Sequence, residues 1–168
     1  MAAGRDPFGN PFGSGDADRR AIWDMLVTRD IDAFVAGDWG AVAGDFIEAG
    51  FTGISGNFQH DPQGYTLAFP TLADYRDRWL SQAAAFGANM AAGAFAGDAR
   101  AGIYQATRLE EIEITGDAAL VRKKFDGRLA KADGSHDRMN WQTLYLCRRE
   151  DGRWKIAGFI GYLPHIKE

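Results

Sequence analysis

The sequence predicts an α+β domain in which helices pack on one face of a curved antiparallel sheet. Two patterns predict it: apolar residues recur at helical spacing in the first half, and strand-like runs separated by short turns fill the last third. The length of 168 residues, 46% of them hydrophobic and 25% charged, fits one globular domain with a sizeable core.

The chain before the first helix contains Gly, Pro and Asn and has no apolar run of the kind found in secretory signals. Residues 1–17 are therefore predicted to form a flexible N-terminal arm, and residues 18–168 a single domain. Phe8 and Phe12 leave open the alternative that the arm docks on the domain or on a second subunit.

The first helix is predicted from about Asp18 to Ala36. Its apolar face, at 100° per residue, consists of Trp23, Leu26, Val27, Ile31 and Phe34. Gly37 ends this helix, and Asp38 is the expected N-cap of a second one. The apolar stripe of that second helix consists of Trp39, Val42, Ala43, Phe46 and Ile47.

A short strand, Phe51–Ser55, and a long loop, Gly56–Pro70, come next. The loop is rich in Gly, Pro, Asn and Gln, but it also carries four aromatic-ring residues: Phe58, His60, Tyr65 and Phe69. Loops of this length are often lids or binding loops, so we expect this one to cover a site and Tyr65 to contact a ligand.

A third helix is predicted to begin at Thr71, where Asp74 completes a capping box. Its inner face consists of Leu72, Tyr75, Trp79, Leu80, Ala83 and Phe86. The Ala/Gly-rich stretch Ala83–Gly97 fits continued helix, fraying or a turn.

Four strands complete the prediction. They are Thr107–Ile114, Ala118–Leu129, Arg138–Arg149 and Arg153–Leu163. Gly-Asp or Asp-Gly pairs lie between the strands at 116–117, 133–134 and 151–152, and such pairs favour hairpin turns.

Composition excludes several classes of function. The 19 basic and 23 acidic residues give a net charge of −4, which argues against nucleic-acid binding. Cys147 is the single cysteine, so neither an intramolecular disulfide nor a thiolate-based zinc site can form. The three histidines are scattered, and no Gly-rich phosphate loop is present, so we expect no metal and no cofactor. Without an apolar run of about 18 residues, a cytoplasmic protein that does not bind a membrane is expected.

Three segments resemble a known superfamily. They are Ala36–Trp39, Glu113–Val121 and Asp151–Ile156, and with the elements between them they cover roughly residues 18–164. In this order they are similar to the nuclear-transport-factor-two-like (SnoaL-like) superfamily. The resemblance implies a cone-shaped α+β barrel, with three N-terminal helices on a strongly curved antiparallel sheet and a pocket between them. It also implies a homodimer formed through the sheet.

Two charged residues interrupt apolar helix faces. Asp30 lies among Leu26, Val27 and Phe34, where a carboxylate must be paired, hydrogen-bonded or protonated. It is either a catalytic acid or base in the pocket or a structural charge. Arg76 lies similarly on the third helix, so it either pairs with Asp30 inside the cone and contacts ligand, or extends outward along its apolar stem.

The strands alternate between two faces. Lys123 and Phe125 are expected to face inward. In the next strand the even-numbered residues are expected to line the cone by resemblance, which makes Asn140 and Gln142 either ligand-orienting amides or strand-end residues bonded to water. In the last strand Phe159 is expected inside. The outer face would then be aromatic, as suits a dimer interface. Its expected members are Trp141, Tyr145, Trp154, Ile156, Ile160 and Tyr162.

His60 and the positions expected for ketosteroid-isomerase catalytic residues bear on whether the protein is an enzyme. His60 neighbours Asp61 and is either a proton shuttle or a solvent-exposed loop residue. By resemblance, a ketosteroid-isomerase base would fall near Ile54 or Ser55, and its oxyanion-hole acid near Leu144. None of these side chains suits that role, so ketosteroid isomerisation is not expected.

The resulting interpretation is a protein that binds a small hydrophobic or aromatic molecule in a pocket between helices and sheet. The expected apolar lining is Trp23, Phe34, Trp79, Phe125 and Phe159. The alternatives are a cofactor-free lyase, isomerase, cyclase or dehydratase that uses Asp30 or His60 on an aromatic or polyketide-like substrate, and a non-catalytic dimeric interaction module.

Overall fold

A continuous helical segment opens the domain. In this computed structural model, which describes residues 4–165, the segment consists of helix α1 (Ala17–Trp23), a π-helical stretch (Asp24–Arg29) and helix α2 (Asp30–Ala36). Asp16 caps its start by accepting the backbone N–H of Arg19. Gly37 ends it with φ of 68°, a conformation that glycine adopts without a steric penalty. The predicted extent of the first helix is confirmed.

The predicted second helix is absent. Asp38 does cap a helical turn, but the chain forms only two 3₁₀ turns, Trp39–Ala41 and Ala43–Asp45, before it becomes extended at Phe46. Gly40 lies within the first turn and Gly44 within the second. Each costs about 1 kcal/mol relative to Ala in an α-helix, so a short apolar stripe cannot sustain one.

Two more helices follow. Helix α3 (Leu72–Ala91) begins at the predicted capping box of Thr71 and Asp74. Helix α4 (Ala99–Ala106) is capped by Asp98 and was not predicted, because Ala and Gly hide its periodicity. It buries Ile103 and Tyr104 against the sheet side of the core, among other residues.

Within residues 4–165, six strands form one curved sheet that does not close on itself. They are β1 (Thr52–Ser55), β2 (Thr66–Phe69), β3 (Thr107–Thr115), β4 (Ala118–Ala130), β5 (His136–Glu150) and β6 (Arg153–Leu163). Their order is β2-β1-β6-β5-β4-β3. The α+β prediction is confirmed, with one correction: β1 pairs with β6 in parallel, so the sheet is mixed and not wholly antiparallel.

The loop predicted for residues 56–70 is partly a strand. Its last residues form β2, which pairs with β1 in an antiparallel hairpin around the 3₁₀ turn Pro62–Gly64. Asn57 stabilises the hairpin by donating from Nδ2 to the carbonyl of Gly64 at 2.9 Å and to Oγ1 of Thr66 at 3.2 Å.

The N-terminal segment makes several contacts with the domain. Arg5 donates to the backbone carbonyls of Thr107 and Gln105, each at 2.8 Å, and the Phe8 ring lies 4.7 Å from that of Tyr104. Phe12 packs against the main core. These contacts correspond to the docked alternative for Phe8 and Phe12, while the flexibility of the arm and the division at residue 17 stay predictions.

Candidate functional site

A cavity of about 520 Å³ lies between α2, α3 and the concave face of the sheet. Its volume is within the usual range for small-molecule sites. Ten of the described residues that line it are aromatic, and their rings come from α2, α3 and four strands. They are Phe34, Phe69, Tyr75, Trp79, Phe86, Phe125, Trp141, Tyr145, Phe159 and Tyr162.

The rings of this wall pack against each other in pairs. Phe34 meets Trp79 edge-on at 5.7 Å between ring centroids, Phe125 lies 4.7 Å from Trp141, and Tyr75 lies 4.9 Å from Phe159. Such pairs hold each other in fixed orientations, so the cavity presents preformed aromatic faces and edges.

One ion pair lies in this apolar wall. The Nζ of Lys123 donates to Oδ2 of Asp30 at 2.7 Å and to the backbone carbonyl of Leu26 at 2.5 Å, and it lies 5.2 Å from the centre of the Phe125 ring. Only 1% of the Lys123 side chain is exposed, against 30% of the Asp30 side chain. The cation is therefore sealed behind the carboxylate, and the carboxylate faces the cavity.

The π-helical stretch explains why two groups of one helix reach the same ammonium. Leu26 lies within the stretch and Asp30 immediately follows it. A π-helical turn widens the helix and shifts its hydrogen bonds by one residue, and such turns are frequent at functional sites. Here the Leu26 carbonyl and the Asp30 carboxylate converge on Lys123.

Two tyrosines add polar hydroxyl groups to the cavity lining. Burial raises the pKa of Tyr75 and of Tyr145 well above the usual value, and the nearby Asp30 charge raises both further. Both hydroxyls are therefore neutral at physiological pH. No hydrogen bond joins either hydroxyl to another group among residues 4–165. They are available to a ligand as donors.

The structure places five of the predicted residues in the cavity wall. They are Asp30, Phe34, Trp79, Phe125 and Phe159. Trp23 is instead part of the main core, where 5% of it is exposed. His60 is exposed on the β1–β2 hairpin, and Tyr65 is half-buried there without reaching the cavity. The roles assigned to these residues stay predictions.

The predicted pairing of Asp30 with Arg76 is wrong. Arg76 is exposed and donates to its neighbour Asp77 at 2.9 and 3.0 Å. The outward alternative is the one the structure shows. Tyr75 and Trp79 fill the inner face of α3, and the adjacent position 76 is rotated away from it.

The predicted inner face of β5 is also wrong. The odd-numbered residues Met139, Trp141, Thr143 and Tyr145 line the cavity. Directly opposed residues of antiparallel strands share a face, and Trp141 lies opposite Phe125, as Thr143 does opposite Lys123. Asn140 and Gln142 are thus outside the lining, and Gln142 donates from Nε2 to the carbonyl of Pro164 at 2.8 Å.

Strand β6 changes face because of irregularities in its pairing with β5. The register shifts between Leu146 and Cys147 and again between Gln142 and Leu144. The first shift lets Trp154 and Ile156 join the buried core although Phe159 also points inward, and Tyr162, with φ of 52°, reaches the cavity.

The expected aromatic outer face is wrong: the outward register pairs of β4 and β5 are mostly charged or polar, such as Arg122 with Leu144 and Lys124 with Gln142, with a leucine pair among them. Leu120 and Leu146 oppose each other in the register of β4 and β5 and are 46% and 42% exposed. Trp141, Tyr145 and Tyr162 line the cavity, and Trp154 and Ile156 belong to the core. A homodimer through this face stays a prediction.

Sequence reasoning missed the partner of Asp30. The alternation of Lys123 with Phe125 predicts that Lys123 faces inward. This pattern could have identified the partner of Asp30, because a lysine on an apolar face needs a carboxylate. Tyr145 is predicted on the outer face of β5, and Tyr75 is predicted on the inner face of α3 without a role at the site. Within the described ranges, no three His, Cys, Asp or Glu side chains are arranged to hold a metal ion. No helix of residues 4–165 is long and apolar enough to cross a membrane.

Comparison with known proteins establishes the fold. A protein of unknown function from Shewanella baltica, described as nuclear-transport-factor-two-like, superposes with a TM-score of 0.54 at 13% identity, over 93% of this chain and 100% of that one. A similarly described protein from Methylobacillus flagellatus gives 0.53 at 19% identity, over 93% and 97%. One from Novosphingobium aromaticivorans, described as having a cystatin-like fold, gives 0.51 at 14% identity, over 88% and 81%.

Other comparisons give no match. No family model matches the sequence, and no curated protein matches it. The fold predicted by resemblance is confirmed, and at these identities the solved structures say nothing of activity.

Proposed function

We propose that this nuclear-transport-factor-two-like domain binds a small, mostly apolar molecule with a ring system in the cavity between α2, α3 and the sheet. The aromatic wall is the observation that carries the proposal. A cavity of about 520 Å³ lined by ten aromatic residues offers an apolar ring system the dispersion and edge-to-face contacts that water cannot supply.

The distribution of polar groups supports this function. Asp30, Lys123, Tyr75 and Tyr145 lie among the rings, while the charged groups Arg78, Asp137 and Arg138 also border the cavity. These polar groups are able to orient a ligand, while the rings supply apolar contact surface.

A fluorescent neutral probe tests the proposal. N-phenyl-1-naphthylamine should gain fluorescence on titration into the protein, with a single saturable site. The variant Ala85→Trp places a bulky ring in the cavity wall and should weaken this binding at least about tenfold.

The matched control is Ala88→Trp. Ala88 lies on the same helix and is exposed, but it does not line the cavity. Equal binding by the wild type and by both variants would contradict the proposal, because the probe would then occupy another surface.

A second candidate function is cofactor-free proton transfer at a carbon atom, as in an isomerase, lyase or cyclase. The specific observation is that Asp30 and two neutral tyrosine hydroxyls share one cavity. A carboxylate is able to take a proton next to a carbonyl group while a tyrosine hydroxyl stabilises the developing oxyanion. His60 is outside the cavity lining and takes no part in this version.

Isotope exchange tests the second candidate. In D₂O, the methyl protons of 2-acetonaphthone should exchange faster with the wild-type protein than with Tyr145→Phe, as followed by proton NMR. Exchange at the buffer rate with the wild type would reject catalysis of this kind and would leave the binding proposal standing.

A further inference from the structure

Asp30 presents to the cavity one carboxylate oxygen that accepts no hydrogen bond from residues 4–165. Oδ2 of Asp30 accepts from Lys123, and no hydrogen bond to Oδ1 is found among residues 4–165. The side chain is 30% exposed and lines the cavity. A carboxylate in an apolar wall needs a second donor, and a bound molecule is able to supply it.

Lys123 is the ion-pair partner of this acceptor. Its ammonium is buried, and two of its three donors are used by Leu26 and Asp30. A buried ion pair is often no more stabilising than well-packed apolar residues, so its main consequence here is electrostatic. The lysine ammonium pairs with the carboxylate at the cavity wall, and aromatic rings line the cavity around this pair.

The tyrosine hydroxyls supply hydrogen-bond donors in the same cavity as this acceptor. Tyr75 and Tyr145 line the same cavity and feel the charge of Asp30. A hydroxyl group of a ligand suits both kinds of partner, because it donates to the carboxylate and accepts from a tyrosine. An ether only accepts, and a carboxylate on the ligand is repelled by Asp30.

We propose that the ligand presents a hydroxyl group, as a phenol or an alcohol on an apolar ring system, to Oδ1 of Asp30. This inference rests on the proposed function and names the chemical class of the ligand at that site. The cavity then selects hydroxylated ring compounds over their ethers and over ring carboxylates.

Three probes of one ring system test the selection. 2-Naphthol, 2-methoxynaphthalene and 2-naphthoate are titrated separately into the full chain at pH 7 by isothermal calorimetry. A hydrogen bond to a charged acceptor predicts that 2-naphthol binds at least about tenfold more tightly than either of the others.

The outcomes separate the two proposals. If all three probes bind with equal affinity, or if the ether or the carboxylate binds more tightly, the cavity is a binding site but the hydroxyl inference is overturned. If none of the three binds and N-phenyl-1-naphthylamine fails as well, the proposed function falls and this inference falls with it.

A double variant assigns the selection to Asp30. D30N/K123M removes the anion and its buried cation together, so no uncompensated charge remains in the wall. It should bind 2-naphthol and 2-methoxynaphthalene with affinities within about threefold of each other. D32N is the matched control, since Asp32 lies on the same helix but outside the cavity lining, and it should keep the preference. A preference of tenfold or more in the double variant would overturn the assignment.

Discussion

Two carboxylates of this domain are paired with cations in opposite ways. At the cavity, the cation Lys123 is buried and the carboxylate of Asp30 is partly open. At the junction of the second 3₁₀ turn with β6, the carboxylate of Asp45 is 1% exposed, and its cations Arg29 and Arg153 are 41% and 52% exposed. In each ion pair one partner is buried, and the exposed partner is the one that is able to contact another group. An exposed carboxylate is thus able to bind a ligand, whereas exposed arginines are solvated by water.

The Asp45 cluster is saturated. Arg29 donates to both carboxylate oxygens at 3.0 Å, and Arg153 donates to Oδ1 as well. The cluster connects the first helical segment to the last strand. Both carboxylate oxygens of Asp45 already accept hydrogen bonds from arginines, so neither is open to a ligand. In the Asp30 pair, one carboxylate oxygen accepts no hydrogen bond from residues 4–165 and faces the cavity. This oxygen is therefore able to accept a hydrogen bond from a ligand.

The largest expected effect is the loss of the carboxylate in front of the buried lysine. Asp30→Asn should lower the free energy of unfolding by about 3 kcal/mol, because the Lys123 ammonium then remains buried without a counter-charge. Adding Lys123→Met should restore most of that loss. Urea denaturation followed by circular dichroism measures both, and an equally unstable double variant would show that the pair matters through packing instead.

A smaller effect is expected at the saturated cluster. Asp45→Asn should lower the free energy of unfolding by about 2 kcal/mol, since the two arginines it releases are half-exposed and water solvates them. The same urea titration measures it, and probe binding by the folded variant should be unchanged. A loss larger than that of Asp30→Asn would break the comparison.

A third carboxylate, Asp32, makes the stability of the fold depend on pH in the alkaline range. It accepts from the hydroxyl of Tyr104 at 2.9 Å and from Arg100 at 2.8 Å. Burial and this hydrogen bond raise the pKa of Tyr104 to about 12. Because the folded pKa exceeds the unfolded one, the stabilisation is complete below pH of about 10 and is lost as the pH rises towards 12. Tyr104→Phe should therefore flatten the decline of stability between pH 10 and 12, as measured by urea denaturation at each pH.

The smallest effect is expected at the residue once expected to pair with Asp30. Arg76→Gln should change the free energy of unfolding by less than about 0.5 kcal/mol, because its ion pair with Asp77 is exposed. Binding of N-phenyl-1-naphthylamine should also be unchanged. Weaker probe binding in this variant would place Arg76 at the cavity and would reverse the assignment of Lys123.

Helix and strand positions were largely predictable, and the exceptions have local causes. The predicted second helix does not form because glycines interrupt it. Helix α4 is not predicted because alanine and glycine obscure its apolar periodicity, and β2 is not predicted because its stretch has the composition of a loop. In each case the stretch is short, so backbone preference and long-range pairing outweighed the apolar pattern.

Part of the site was predictable for a similar reason. Asp30 was recognised because a carboxylate on an apolar helix face is anomalous wherever the helix packs. Phe34 and Trp79 were recognised from the same periodicity. The face of β5 was not, since it depends on the register of the β4–β5 hairpin. Ala130 pairs with His136, and a connecting loop one residue shorter would have turned the other face of β5 inward.

The sequence by itself determined the α+β class, most element boundaries and the presence of a charge that needs a partner, because these depend on residues close together in the chain. Only the tertiary structure decided which cation meets Asp30, since Lys123 lies 93 positions away and reaches it through the folding of the sheet. It also decided that the aromatic residues of β5 and the end of β6 line a cavity. Register and bulges assign side chains to the two faces of a sheet, and both arise from pairing between distant segments.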